Sequence, residues 1–122
     1  MHYDPIEPMG IEEARAALRS EDLRAAARAV VAIGLHSEHL NAAADLLLSA
    51  AASSDSGVKG NALLSFGHLA RRFGELPHEE AVRKLVAHGL RDDDSYVRGH
   101  AHDAADDLEH FLGWSFSRHA DA

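Results

Sequence analysis

The stretch DSGVKGNA at residues 55–62 returns as DSYVRGHA at residues 94–101, an offset of 39 residues. Leu69 follows the first copy and Leu108 follows the second at the same distance. A weaker third copy begins at Asp22, shifted by about 35 residues from the middle one. A repeat of this length indicates that one supersecondary unit is used several times along the chain.

Helical patterning surrounds these copies, and no segment alternates polar and apolar residues for long enough to predict a strand. Gly74 and Gly113 are expected to end two helices, and Pro77 is expected to open another. Short turns between the helices predict antiparallel neighbours within one all-α domain over residues 1–122, with an extension at 1–10 and a tail at 114–122. The predicted helices cover residues 11–19, 22–35, 38–52, 57–73, 77–89 and 95–112.

The repeated stretch resembles the second helix of HEAT repeats, which typically begins Asp-x-x-Val-Arg-x-x-Ala. The resemblance spans about residues 20–113, with two good copies and a degenerate first copy in which Leu23 replaces the valine. It implies an all-α fold, a short right-handed α-solenoid of about three HEAT-like antiparallel helix pairs. It also implies that the aspartate caps its helix, that the valine and alanine pack inward, and that the basic residue reaches a neighbouring repeat.

Charge and composition narrow the classes of partner. The chain has 12 Lys and Arg against 20 Asp and Glu, a formal charge of -8 with histidine neutral. Such a chain repels a phosphate backbone unless its cations are focused on one face, so we expect a basic protein partner and no direct contact with nucleic acid. There is no cysteine, and no apolar stretch approaches the roughly 20 residues of a membrane span, which favours a cytoplasmic protein without membrane contact.

The outward faces of the three second helices form the predicted binding surface. Helical geometry at about 100° per residue places Ala29 and Ala32 outward on the first of them, and Gly60 and Gly67 outward on the second. These small residues are expected to keep the surface low, so that a partner can approach closely. An acidic stripe on a last helix is also typical of a solvated face that keeps a terminal repeat soluble. The predicted partner-binding residues are Leu64, His68, Arg71, Asp103, Asp106, Asp107 and His110.

Motifs for catalysis are absent from the sequence. It contains no cysteine nucleophile, no Gly-x-Ser-x-Gly elbow and no Gly-rich phosphate loop after a strand. His102, Asp106 and His110 have the i, i+4 spacing of helical metal ligands, but a working site needs three or four converging ligands. We therefore predict no catalytic residue, no metal and no cofactor. Trp114 and Phe116 in the tail are expected to cap the core of the last repeat.

Three function hypotheses follow. Small acidic HEAT-like proteins of one domain resemble bacterial immunity proteins, which occlude the active sites of secreted toxins. That resemblance implies a non-enzymatic protein that binds and neutralises a cognate toxin, here with an acidic edge that meets a basic toxin domain. The alternative is a general HEAT-like scaffold or adaptor that binds a cellular protein or peptide. The third hypothesis is a metal-dependent enzyme.

Overall fold

The structure is a computed structural model that describes residues 5–118. Within these residues the chain is all helical and has no strand, so the predicted all-α class is confirmed. Residues 1–4 of the predicted extension and residues 119–122 of the predicted tail lie outside the described residues. None of the helices between residues 5 and 118 has both the length and the apolar character that crossing a membrane demands. The six helices are α1 (Ile11–Arg19), α2 (Leu23–His36), α3 (Leu40–Ala51), α4 (Ser56–Phe73), α5 (Glu79–Gly89) and α6 (Ser95–Leu112).

Aspartates begin α2, α4 and α6. The carboxylates of Asp22, Asp55 and Asp94 each accept a hydrogen bond from a backbone N–H two or three residues further on, at 2.8–3.1 Å. Such a cap contributes about 1 kcal/mol to helix stability. Gly74 and Gly113 end α4 and α6 with φ values of 70° and 73°, in the left-handed region that glycine adopts without a steric penalty. The predicted caps and stops are therefore confirmed.

The start of α5 differs from the sequence prediction, which places it at Pro77. His78 has φ 62° and ψ 42°, and a residue in this left-handed conformation cannot continue a right-handed helix. Its ring Nε2 lies 2.8 Å from Oδ1 of Asp45 on α3. The helix consequently begins at Glu79, after a turn that brings α5 beside α3.

The helices α2, α4 and α6 lie side by side and run in the same direction. The carbonyls of Ala27, Val30 and Gly34, in that order along α2, accept hydrogen bonds from successively later residues of α4. In the same order, Gly60 of α4 lies against Tyr96 and Val97 of α6, and Gly67 lies against the later residues Ala104 and Asp107. Since α4 also contacts α3 and α5, it is the central helix of the molecule.

The core lies between this row and the helices α1, α3 and α5. Val58, Ala62, Val97 and Ala101 are at most 2% exposed, which confirms the inward packing expected of the repeat. Phe111, near the end of α6, is 39% exposed and packs edge-on against His110. Other fully buried side chains include Val30, Ile33, Leu47, Phe66, Leu69, Val82, Val86 and Leu108.

The C-terminal tail packs against the last helix pair. Trp114 and Phe116 are partly buried against the core, as predicted. The guanidinium of Arg83 on α5 stacks over the Trp114 ring, 4.7 Å from its centroid. The Phe116 N–H donates to Glu109 Oε2 at 2.9 Å, so the tail is held by both apolar and polar contacts.

Candidate functional site

Three of the predicted site residues lie along one stripe of α4. Leu64 and His68 are half-buried and Arg71 is exposed. Their i, i+4, i+7 spacing aligns them on the side of α4 that points away from the core, because Phe66 and Leu69 on the opposite side are fully buried. The predicted outward orientation of these three residues agrees with their exposure.

A second stripe lies beside it on α6 and holds three more predicted residues. Asp103 and His110 are exposed and Asp107 is half-buried, again at i, i+4 and i+7. Asp107 reaches α4, because a Cβ built on Gly67 would stand 2.8 Å from its Oδ2. The structure therefore places six of the seven predicted residues on neighbouring helices of one surface.

The remaining predicted residue, Asp106, lies at the edge of that surface, on the side of the C-terminal tail. Its Oδ1 accepts a hydrogen bond from Nη1 of Arg118, and Nη2 of Arg118 donates to Glu109. Asp106 occupies the repeat position of Gly67, 39 residues earlier, which in α4 faces the next helix. No further helix follows α6 within the described residues, and Arg118 of the tail contacts Asp106 where a next helix would lie.

The prediction that small residues line the exposed surface is wrong. Gly60 and Gly67 are buried, because the Tyr96 ring and Asp107 of α6 cover them. Ala29 and Ala32 are 0% and 1% exposed on the buried side of α2. Residues four apart on a helix differ in direction by only about 40°. Helical periodicity alone therefore does not distinguish a position that faces solvent from one that a neighbouring helix covers.

The exposed stripe of α2 instead carries two arginines. Arg24 and Arg28 are exposed, and Val31 and Leu35 are half-buried at the same i, i+4, i+7, i+11 spacing. We call the combined surface the three-helix face. It consists of Arg24, Arg28, Val31 and Leu35 on α2, Leu64, His68 and Arg71 on α4, and Tyr96, His100, Asp103, Asp107 and His110 on α6.

His68 is a neutral ring at the centre of this face. Burial, together with the nearby cations Arg71 and Arg72 and the ring of His100, lowers its pKa from 6.5 to about 4. Its Nδ1 is buried and has no hydrogen-bond partner within residues 5–118. Above about pH 5 the ring therefore contributes polarity and shape to the face but no positive charge.

The electrostatics of α6 are dominated by its carboxylates. Burial raises the pKa of Asp107, the neighbouring carboxylates Asp103 and Asp106 raise it further, and Arg71 and His110 oppose this. Burial also lowers the pKa of His100, against the influence of Asp103. Asp103 is exposed and Asp107 is half-buried, so Asp103 presents its negative charge most openly to solvent.

Tyr96 belongs to the three-helix face although the sequence analysis did not select it. Its ring is 45% exposed, lies 4.2 Å from the His100 ring between centroids, and crosses Gly60. Its hydroxyl donates to Asn61 Oδ1 at 2.5 Å, and Asn61 Nδ2 donates to the Ala27 carbonyl on α2. The repeat carried a signal for this residue, because Tyr96 stands where the preceding copy has a glycine at position 57.

The opposite side of the molecule carries a shallow groove between α1 and α3. Its volume is about 370 Å³, and it opens into a second depression of about 290 Å³. Leu23 at the rim of the second depression is 52% exposed. The first groove is lined by Arg15, Leu18, Arg19, Asp45, Leu46 and Ser49, so it combines apolar walls with two arginines.

No group of three or more histidine, aspartate or glutamate side chains in residues 5–118 is arranged to hold a metal ion. The three-helix face is instead broad, with half-buried apolar side chains in the middle, the charged Arg71 toward the end of α4, and charged side chains on both flanks. A surface of that kind can contact another protein over several side chains at once.

Comparison with known proteins found a similarity to a solved structure. The chain matches no known protein-family profile and no curated protein sequence. Its structure is similar to a chain in the crystal structure of a CDI (contact-dependent inhibition) complex from Cupriavidus taiwanensis. The TM-score is 0.75 and the identity 26%, over 91% of this chain and 96% of that chain. The similarity therefore covers nearly the whole of both chains, and it supports a small helical protein of the toxin–immunity kind.

Proposed function

We propose that the chain is a non-enzymatic immunity protein that binds and occludes a cognate bacterial toxin. The observation that carries the proposal is the structural similarity to a chain of a CDI complex over 91% of this chain and 96% of that one. We place the protein in the cytoplasm of the cell that makes it, where it meets an incoming toxin.

In this proposal the fold is a short HEAT-like solenoid, and the three-helix face is the binding surface. The support is the 39-residue repeat and the parallel row of α2, α4 and α6. The contact residues are the six that lie together, with Asp103 and Asp107 meeting basic groups of the toxin domain. Asp106 is not included, because Arg118 already binds it. The other contacts on α4 and α6 are Leu64, His68, Arg71 and His110.

The proposal is tested by growth of cells that express the product of the neighbouring gene. We expect that product to stop growth when it is expressed alone, and co-expression of the present chain to restore growth. Protection from a lethal enzyme requires nearly complete occupancy, so the purified pair should bind with a Kd of roughly 1 nM or less. A neighbouring product that is harmless by itself, or one that kills equally in the presence of the chain, would contradict the proposal.

A further inference from the structure

The two flanks of the three-helix face have opposite charge. Arg24 and Arg28 are exposed on α2, whereas Asp103 is exposed on α6 with Asp107 half-buried beside it. The helix α4 separates the flanks and places Leu64 between them. Neighbouring helices pack about 8–10 Å apart, so the flanks lie roughly 20 Å from each other, well beyond the Debye length at physiological salt. A partner therefore meets the two charges separately.

The middle of the face is apolar or uncharged, and the exposed Arg71 lies toward the C-terminal end of α4. Val31 and Leu35 on α2 and Leu64 on α4 are half-buried, and His68 is a neutral ring at neutral pH. Apolar centres with charged rims are the usual layout of protein interfaces, in which the centre supplies affinity and the rim supplies orientation and association rate. The layout suits a folded protein surface more than a single extended peptide, because the charged groups lie on two separate helices.

Tyr96 gives the face a fixed aromatic side chain. Its hydroxyl is bonded to Asn61, its ring lies against His100, and Gly60 leaves room for it to cross α4. A ring held in this way loses little conformational entropy when a partner covers it. Tyrosine is also among the residues that most often dominate binding energy at interfaces. The exposed side of the ring lies on the same helix stripe as Asp103, two turns earlier.

We propose that the toxin docks on the three-helix face in one orientation. Carboxylates of the toxin lie opposite Arg24 and Arg28, and a cation of the toxin lies opposite Asp103. Tyr96 is the contact of the α6 flank that contributes most to the binding energy. This inference rests on the proposed function and specifies its partner: a toxin domain whose contact surface carries both signs of charge. It differs from docking of a uniformly basic toxin, in which the arginines of α2 would repel the partner.

The sign of one mutational effect separates these two arrangements. Arg24→Glu with Arg28→Glu should weaken toxin binding by about 10-fold or more at low salt, because carboxylates would then face carboxylates. A uniformly basic partner would instead bind this variant more tightly. The matched control is Arg15→Glu with Arg19→Glu on α1, which makes the same charge change at two exposed arginines beside the opposite groove. We expect the control to alter the Kd by less than about 3-fold.

The α6 flank is tested in the same titration. Asp103→Lys should weaken binding by about 10-fold, mainly through slower association, and Glu80→Lys on α5 is its control. Tyr96→Ala should weaken binding by about 30-fold or more, whereas Tyr96→Phe keeps the ring and should stay within about 5-fold of the wild type. Circular dichroism and the urea midpoint of every variant establish that it is folded before binding is measured.

The outcomes distinguish the two levels of the proposal. Absence of wild-type binding overturns the proposed function and, with it, the partner described here. Wild-type binding with tighter association of the α2 variant overturns only the two-sign partner. Equal weakening by the α1 control and the α2 variant would move the docking surface away from the three-helix face. Loss of binding in both Tyr96→Phe and Tyr96→Ala would contradict a dominant contribution of the ring and assign the binding energy to the hydroxyl that bonds Asn61.

Discussion

The central helix α4 contacts α2 and α6 in two different ways. Toward α2, side chains of Asn61, Ser65 and Arg72 donate hydrogen bonds to backbone carbonyls of the neighbouring helix, at 2.6–3.2 Å. Toward α6, Gly60 and Gly67 remove side-chain bulk so that the next helix approaches closely. The first contact therefore includes three side chains bonded directly to backbone, whereas in the second the atoms closest to the glycines belong to the side chains of Tyr96 and Asp107.

This difference teaches how the molecule can be both rigid and adaptable. Backbone atoms cannot shift without moving a whole helix, so the α2–α4 contact should resist substitution. At the α4–α6 contact the atoms nearest a Cβ at Gly60 belong to the Tyr96 ring, which a substitution can displace without moving the backbone of α6. Substitutions at the α4–α6 contact should therefore change the stability of the protein little and its partner binding strongly.

The largest effect is expected from Gly34→Val at the α2–α4 contact. A Cβ at residue 34 would stand 2.6 Å from the Ser65 Cβ and 3.1 Å from its Cα, so the helices must separate. Overpacking of this kind costs about 1–3 kcal/mol, and a branched side chain against backbone belongs at the upper end. Urea unfolding measures the loss. Gly99→Val on α6, where a Cβ meets nothing within 4 Å, is the control and should change stability by less than about 0.5 kcal/mol.

The next effect compares two adjacent arginines. Arg72 donates hydrogen bonds to the Gly34 and Ser37 carbonyls at the end of α2, at 2.9 and 2.6 Å. Arg71 is instead exposed on the three-helix face. Arg72→Ala should lower the free energy of unfolding by about 1–2 kcal/mol, discounted for the partial exposure of the side chain. Arg71→Ala should change it by less than about 0.5 kcal/mol and weaken toxin binding instead. Equal destabilisation by both variants would contradict the view that the hydrogen bonds of Arg72 hold α2 against α4.

A smaller effect is expected from pH. His68 titrates near 4 in the folded chain because burial lowers its pKa, whereas the unfolded ring takes up a proton near 6.5. Between these values the unfolded state binds more protons, so stability falls as pH decreases from about 6.5 to about 4. The lowered pKa of His100 acts in the same direction, and the raised pKa of Asp107 opposes it. Arg71, Arg72, Asp103 and His110 also face this site.

Substitution isolates the contribution of the single histidine. His68→Gln keeps a polar side chain without a titrating group, so the urea midpoint of this variant should fall less between pH 7 and pH 5 than that of the wild type. His88→Gln on the exposed side of α5 is the control and should retain the wild-type slope. An unchanged slope in His68→Gln would assign the pH dependence to other groups.

The smallest change in stability is expected from Gly60→Ala at the α4–α6 contact. The new methyl would stand 2.9 Å from Tyr96 Cδ2 and displace the ring. Loss of the Tyr96–Asn61 hydrogen bond, about 0.5–1.5 kcal/mol, is offset by up to about 1 kcal/mol of helix propensity. The urea midpoint should stay near that of the wild type while toxin binding weakens. A cost as large as that of Gly34→Val would mean that the two contacts of α4 are equally rigid.

Helix positions and caps could be predicted from the sequence because they depend on local residues. The aspartate at each second-helix start, Gly74 and Gly113 act within a few residues of themselves, and the bounds agree within two residues. The starts of α3 and α5 each differ by two residues, and at α5 the left-handed conformation of His78 accompanies a contact with Asp45, 33 residues away. A local pattern carries no information on such a contact.

The candidate site was only partly predictable. Leu64, Arg71 and Asp103 could be placed outward, because their opposite faces are apolar. Gly60 and Gly99 occupy the same repeat position, yet the first is covered by Tyr96 and the second meets nothing within 4 Å. Only the presence of a following helix separates them, and that depends on the place of a repeat in the row. The positive charge of Arg24 and Arg28 on α2 was not predicted either. The first copy of the repeat is degenerate, so its exposed positions could not be aligned reliably with those of the later copies.

The repeat also sets how far apart in sequence the interacting residues are. The side-chain hydrogen bonds within residues 5–118 join residues no more than 38 apart, the longest being that of Arg72 with Gly34. Chains whose contacts are close in sequence fold quickly, because little loop entropy is lost before each contact forms. We therefore expect α1 and α2 to pair, and α4 to dock on them, while later residues are still being synthesised. In the role proposed above, such an order of assembly makes the chain ready before its toxin arrives.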